Sequence, residues 1–370
     1  MIKYFDLQKT NRTLIKQNLT EFNILLKKKK NFILDEFVNK FETNFKKYIK
    51  SKYSIGVNSG TDALIIALKA LGLKKDDEVI LPSLTASATV ASVMSINAKP
   101  IFAEIDSNYL TINPEDIEKK ISKKTKLIIA VHLYGQACEM IKIRKIAKKY
   151  KLFLIEDCAQ STGSKYHNKY LGNYCDIACH SFYPTKNLGG IGDGGMITTN
   201  NKKFYVKILK LRQYGWDKNR DINEFGINSR LDEIQSYFLN KKLKFLDRNI
   251  KKKRNLVRIY LNLLKSNEME HINEREKSVH SYHIFAIKVK PSVRDGLINY
   301  LYKKGVMTSI HYKIPCHKLK FFKNKKFELP ITDRISKQII SLPLNEGLNE
   351  KDIKKVCLLI NSFLNARKVI

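Results

Sequence analysis

A chain of 370 residues with 43 % hydrophobic composition can bury a large core and is somewhat long for one typical domain, so two domains are expected. Its start, Met1-Ile2-Lys3-Tyr4-Phe5-Asp6, has no apolar stretch of signal-peptide length, and no later segment approaches the roughly 20 apolar residues that span a bilayer; a soluble, cytoplasmic protein without a membrane partner is expected. The formal net charge of +34 comes from lysines spread along the chain (Lys27 to Lys30, Lys145 to Lys151, Lys241 to Lys244, Lys251 to Lys253) rather than gathered on one reading helix, which suits a solvated surface that favours anionic substrates and argues against specific nucleic-acid binding.

From residue 54 to about residue 200, short apolar runs alternate with helical periodicity, the pattern of a parallel α/β layer. The first run, Ser54 to Val57, leads into Gly56-Val57-Asn58-Ser59-Gly60-Thr61-Asp62-Ala63-Leu64: a strand end, a turn of small residues and a helix start. Free backbone N–H groups and the helix dipole at such a terminus bind phosphate, although capping alone also explains it. The helix runs from Ala63 to Leu71 and is closed by Gly72. Further strands are expected at Val79 to Leu81, Ile101 to Ile105, Leu127 to Leu133, Leu152 to Ile155 and Met196 to Thr199, with a helix over Ile141 to Tyr150.

The strand at Leu152 ends in Glu156-Asp157-Cys158-Ala159-Gln160. Ligands of open α/β sheets sit beyond the carboxyl ends of the strands, so Asp157 points toward a site, where a carboxylate can keep a pyridine nitrogen protonated; a helix N-cap is the alternative. Next comes His180-Ser181-Phe182-Tyr183-Pro184-Thr185-Lys186-Asn187-Leu188-Gly189-Gly190-Ile191-Gly192-Asp193-Gly194-Gly195, in which five glycines fall within seven residues and permit close backbone approach. Lys186 lies among small, apolar and polar residues, surroundings that suit a desolvated amine able to form an imine. Residues 231 to 265 read as lysine-rich helices leaving the first domain. After them come an alternating run over Tyr282 to Val289, a helix near Val293 to Lys304 ended by Gly305, and a last helix capped by Asn349 and running to Phe363, together a smaller α+β domain. The six scattered cysteines are expected to be reduced, and the spacing of Cys175, Cys179 and His180 lacks the second ligand pair of a metal site, so no metal is expected.

In this order and spacing, the segments around Gly60, Asp157 and Lys186 resemble the DegT/DnrJ/StrS family of sugar aminotransferases. The likeness extends to Phe32-Ile33-Leu34, Val131-His132-Leu133-Tyr134-Gly135-Gln136, Leu211-Arg212-Gln213-Tyr214-Gly215-Trp216, Asn228-Ser229-Arg230-Leu231-Asp232-Glu233-Ile234-Gln235, His311-Tyr312-Lys313-Ile314-Pro315-Cys316-His317 and Ser341-Leu342-Pro343-Leu344. It implies an α/β fold of the aspartate aminotransferase type (fold type I of the pyridoxal phosphate enzymes), with a large, mostly parallel sheet domain over residues 1–248 and a small α+β C-terminal domain over 249–370. It further implies pyridoxal 5'-phosphate held as a Schiff base on Lys186, which also serves as acid and base, with Asp157 on the pyridine nitrogen and Gln160 near the ring hydroxyl. Gly60 and Thr61 amides and the Ser181 hydroxyl would bind the phosphate, joined by Asn228 from the other subunit of a homodimer with shared active sites.

Leu84 stands where close relatives have His, Ala86 where many have an aromatic residue over the ring, and Ser161-Thr162 where Ala-His is common, so the cover of the ring's exposed face is not read from the sequence. Pro184 to Gly190, Gly192 to Gly195 and Gln213 to Trp216 resemble the branch that aminates C-3 of dTDP-3-keto-6-deoxyhexoses with L-glutamate as donor; Tyr183 and His311 are candidate sugar contacts, with core packing an equal alternative for Tyr183. The alternatives are amination at C-4 or of a non-sugar ketone, and a regulatory or nucleic-acid-binding protein on the same fold; a dehydratase would carry histidine in place of Lys186.

Overall fold

The computed structural model describes residues 1–28 and 31–366; Lys29 and Lys30 of the first lysine run and residues 367–370 of the expected small domain lie outside the described residues. Thirteen strands follow in chain order: β1 (Tyr53–Val57), β2 (Glu78–Pro82), β3 (Lys99–Ala103), β4 (Thr125–Val131), β5 (Phe153–Asp157), β6 (Lys165–Tyr166), β7 (Lys169–Tyr170), β8 (Ile177–Ser181), β9 (Gly195–Thr199), β10 (Met269–His271), β11 (Ser278–Val279), β12 (Phe285–Val289) and β13 (Ile339–Leu342). Seven of them form one sheet in the order β3-β2-β4-β5-β8-β9-β1. All neighbours in it are parallel except β9, which runs against both β8 and β1.

Alternation along the strands divides the sheet's side chains between two cores. Val79, Leu81, Leu127, Ile129 and Val131 face one core together with Leu64 and Leu68 of the helix Gly60–Ala70. Ile80, Ile128, Ala130 and Leu154 face the other with Met140 and Ile143 of the helix Met140–Lys149. Both faces are covered by helices, which is why β4 reads Leu-Ile-Ile-Ala-Val with no polar alternation. The strand expected to run to Leu133 stops at Val131, because residues 133–135 turn as a 3-10 segment with Tyr134 in the left-handed region.

The helix Leu246–Leu263 joins two cores: Leu246 and Ile250 pack with Phe41 and Phe45, whereas Leu256, Val257 and Tyr260 pack with β12, β13 and the helix Glu350–Ala366. β10, β12 and β13 form an antiparallel sheet in this second region. Ile2 belongs to the same cluster and bridges to Val306, so the first residues of the chain pack with its C-terminal part. The expected Asn349 cap is present: its Oδ1 accepts from the Asp352 amide at 3.1 Å, and Asp352 Oδ2 accepts from the Asn349 amide at 3.0 Å. No described helix is long and apolar enough to cross a membrane.

Candidate active site

The turn after β1 is set by Ser59, whose extended backbone ends the strand and whose Oγ accepts from the Asp62 amide at 3.0 Å. The helix behind it starts with Gly60 and Thr61, whose amides have no acceptor among the described residues. Free amides at the positive end of a helix dipole suit an anion. Gly60 is required by packing: a Cβ there would lie 2.7 Å from the Cβ of Ser181, at the end of β8. The close approach brings Ser181 against the helix start, so the residues expected to bind the phosphate line one cavity although they come from two distant segments.

β5 ends in Asp157, buried, with Oδ1 accepting from the Ala159 amide at 3.1 Å and Oδ2 from Thr89 Oγ1 at 2.9 Å. No helix follows it, which removes the N-cap alternative. Burial raises its pKa, opposed by these two donors and by Lys186. Lys186 follows the exposed Tyr183 in a tight turn, its amide donating to the Tyr183 carbonyl at 2.8 Å. The Lys186 side chain opens onto two cavities but is otherwise enclosed, and desolvation lowers its amine to about 8 against the pull of Asp157.

The first cavity, of about 230 Å³, brings together Gly60, Thr61, Asp157, Gln160, Ser181, Tyr183 and Lys186. An acceptor carboxylate, a desolvated amine and a set of free donors line one space, a donor and acceptor set that fits a pyridine ring bearing an aldehyde and a phosphate. Gln160 is fixed at both ends, Oε1 accepting from the Tyr134 amide at 2.7 Å and Nε2 donating to the Tyr312 hydroxyl at 2.9 Å. Tyr134 holds a φ of 62°, a costly conformation for a bulky residue, and its hydroxyl donates to the His311 carbonyl. Ala86 and Thr85 line the same cavity, while Leu84 turns away into a core with Leu133 and Tyr134.

The second cavity, of about 490 Å³, shares Lys186 with the first and is edged by Lys9, Lys242, Arg248 and Lys252 against one carboxylate, Glu346. Lys242 is held against the Gly189 carbonyl, and burial lowers its pKa to about 8. Next to Lys186, Asn187 accepts from Lys253 Nζ at 2.9 Å and donates to the Ser281 carbonyl at 3.0 Å; Lys253 is buried and paired with Glu346 at 2.9 Å.

Of the two candidate sugar contacts, Tyr183 is 53 % exposed and lines the first cavity, so core packing does not explain it. His311 bonds through Nδ1 to Ser341 Oγ at 2.9 Å and stacks on Tyr4 at 5.6 Å. Burial, and then Lys186, depress its pKa to about 4, so it is neutral at physiological pH. Asn228 is exposed, paired in a bridge with Gln213, and a single chain does not bring it to the cavity. Cys179 and His180 are buried in β8, and His180 Nε2 is 3.3 Å from Thr198 Oγ1. A different trio, His132, Glu156 and Cys158, has its ligand-type atoms within 4.8 Å of one another. Two of its members are already engaged: Glu156 accepts from the Gly172 and Tyr174 amides and from His132 Nε2, and His132 Nδ1 accepts from the Cys138 amide.

Sequence reasoning missed Thr89, Tyr312 and Asn187. The i, i+4 spacing of Thr85 and Thr89 just beyond β2 was an available signal. Tyr312 lies in a segment that the resemblance covers, but nothing local marked its role, which is to reach Gln160 from 152 residues away.

The profile of the DegT/DnrJ/EryC1/StrS aminotransferase family matches residues 13–361. The chain is 38 % identical over 364 residues to a dTDP-3-amino-3,6-dideoxy-alpha-D-galactopyranose transaminase of Aneurinibacillus thermoaerophilus, covering 98 % of this chain and 99 % of the relative. Among solved structures it resembles DesV of S. venezuelae in complex with a ketimine intermediate (TM-score 0.94, 30 % identity, 98 % of each chain). It also resembles NtdA of Bacillus subtilis with bound cofactor PMP (TM-score 0.91, 32 % identity, 99 % of this chain and 86 % of the other).

Proposed function

Because the chain belongs to the DegT/DnrJ/EryC1/StrS aminotransferase family, we propose that it moves an amino group from L-glutamate to C-3 of a dTDP-3-keto-6-deoxyhexose, giving a dTDP-3-amino-3,6-dideoxyhexose. The observation that carries this reading is that Lys186 lines both cavities. One presents a carboxylate and a phosphate cup, the other a ring of cations. Pyridoxal phosphate is the cofactor; when bound it withdraws electrons from the donor's Cα and stores the amino group between the two half-reactions.

Lys186 would hold the cofactor through its Nζ and, when freed, its amine would take the proton from the donor's Cα. A pKa of about 8 leaves a useful fraction of the amine neutral at physiological pH. Asp157 keeps the proton on the ring nitrogen, and the charge it meets there offsets the cost of its burial. Gly60 and Thr61 amides and the Ser181 hydroxyl donate to the phosphate. Gln160 has one side-chain N–H left for the ring hydroxyl after donating to Tyr312. Lys9, Lys242, Arg248 and Lys252 suit the diphosphate of a nucleotide sugar. Tyr183 and His311 are assigned to the sugar, with His311 neutral and able to donate or accept through Nε2. Incubation with a panel of nucleotide-linked keto sugars and ¹⁵N-labelled L-glutamate should place the label on C-3 of the dTDP sugar by NMR. Label on C-4, or on another nucleotide's sugar in preference, would reject this substrate.

A homodimer with shared sites accounts for Asn228, exposed on the single chain. Phe32, Ile33, Ile191, Phe225 and Ile234 are also exposed, an apolar set that a second copy would cover. Several of them are linked in space: the Ile191 amide bonds to Gln235, and the Asp35 amide to Glu233. Asn228→Ala should weaken cofactor retention. At limiting cofactor, mixing it with Lys186→Ala should restore roughly a quarter of wild-type activity, because random pairing makes half the dimers mixed and each of those has one intact site. No recovery despite proven subunit exchange would argue against sharing.

A further inference from the structure

We propose that Thr89 is a positioning residue that, backed by Thr85, holds the Asp157 carboxylate in the orientation and charge state that keep the proton on the cofactor's ring nitrogen. The inference rests on the assignment of pyridoxal phosphate to the first cavity. Thr89 lies in the first turn of the helix Ser87–Ser95, at the edge of that cavity, and both threonines are 1 % exposed.

Hydrogen-bond direction follows from chemistry. An ionised carboxylate only accepts, so the Thr89 hydroxyl must donate to Asp157 Oδ2 at 2.9 Å. Its proton is thereby committed, and the contact of 3.1 Å between the two threonine oxygens must then be a donation from Thr85 to Thr89. The result is a directed chain, Thr85 to Thr89 to Asp157, ending on the oxygen opposite the one held by the Ala159 amide. Each donor in such a chain polarises the next, and a hydrogen bond to a charged acceptor is among the stronger kinds.

Two effects follow. The carboxylate is held by one donor on each oxygen, which fixes its plane and leaves its remaining lone pairs for the ring. The donors also make it less basic at a site where burial pushes it toward the neutral acid. Without Thr89 the proton shared between carboxylate and ring nitrogen shifts toward Asp157, and the ring loses the charge that draws electrons. The β-branched carbon skeleton is not what matters here; the hydroxyl is.

The test uses full-length protein loaded with pyridoxal phosphate labelled with ¹⁵N in the ring, comparing wild type, Thr89→Val and Thr89→Ser. Thr89→Val keeps the shape and removes only the donor. Borohydride trapping on Lys186, read by mass, should be unchanged, while the ¹⁵N signal moves from the protonated toward the unprotonated range. Turnover should fall about 10- to 100-fold, the value of one hydrogen bond to a charged group. Thr89→Ser should recover the wild-type ¹⁵N signal. An unchanged ¹⁵N signal in Thr89→Val with trapping intact, or a Ser variant that behaves like the Val variant, overturns this inference alone. A wild-type protein that traps no cofactor on Lys186 overturns the cofactor assignment and this inference with it.

Discussion

Lys186→Ala is expected to abolish transamination, by on the order of 10⁴-fold or more, while the protein still folds. The substitution removes in one step the amine that anchors the cofactor and the group that moves the Cα proton. Its structural cost is small, because Lys186 opens onto the two cavities rather than packing in either core. The turn that carries it is held by other contacts: the Gly190 amide on the Phe182 carbonyl at 2.7 Å, Gln235 on the Ile191 amide, and Lys253 on Asn187. Steady-state turnover and a thermal melt measured on the same sample check both halves of the expectation. Turnover of wild-type size would reject Lys186 as the centre of the chemistry.

Asp157→Asn is expected to leave the cofactor bound and to lower turnover by about 10²- to 10³-fold, the size expected when one member of a buried charge pair is lost. The amide is nearly the same shape: its oxygen can still accept from the Ala159 amide, while its NH2, in place of the other oxygen, can donate to a Thr89 hydroxyl turned to accept, so the local fold should hold. What it cannot do is carry the negative charge that keeps the ring nitrogen protonated. Cofactor content by absorbance, set beside turnover, separates the two effects. Near-normal turnover with full cofactor would reduce Asp157 to a local hydrogen-bonding residue, accepting from the Ala159 amide and Thr89.

The strands that the sequence made plain are those buried on both faces. β2, β4 and β5 each contain an unbroken run of branched residues, because helices cover the sheet on both sides and no position needs to be polar. β8 did not read as a strand. Its sequence, Ile-Ala-Cys-His-Ser, is fully buried but short of branched residues, since it abuts the helix Gly60–Ala70 and delivers Ser181 to the phosphate cup. The helices Leu7–Lys28 and Glu36–Ile49 also escaped notice; the second packs Phe41 and Phe45 against Phe182, a contact made across some 140 residues of chain that no local pattern reveals.

The candidate site was legible to the extent that its chemistry is concentrated in single residues within distinctive segments. Gly60, Asp157 and Lys186 could each be named from a strand end or a glycine-containing turn, Gln160 and Ser181 only from the resemblance, and the fold sets all five around one cavity. Residues that act through another residue were not legible in that way. Thr89 matters because of where Asp157 lies, and Tyr312 because of Gln160; each pairing is created by the fold. Asn228 presents the opposite case, named from a resemblance yet absent from the lining of the cavity in its own chain, although the adjacent Ser229 bonds to Asn58 and Asp62.

The most direct measurement is the amount of 2-oxoglutarate released when cofactor-loaded protein meets excess L-glutamate in the absence of any keto sugar. One molecule per active site, followed by a halt, with none from Lys186→Ala, is the result expected if Lys186 anchors the cofactor and moves the proton that lets glutamate leave its amino group there. No release from the folded, loaded wild type, or equal release from Lys186→Ala, would contradict it.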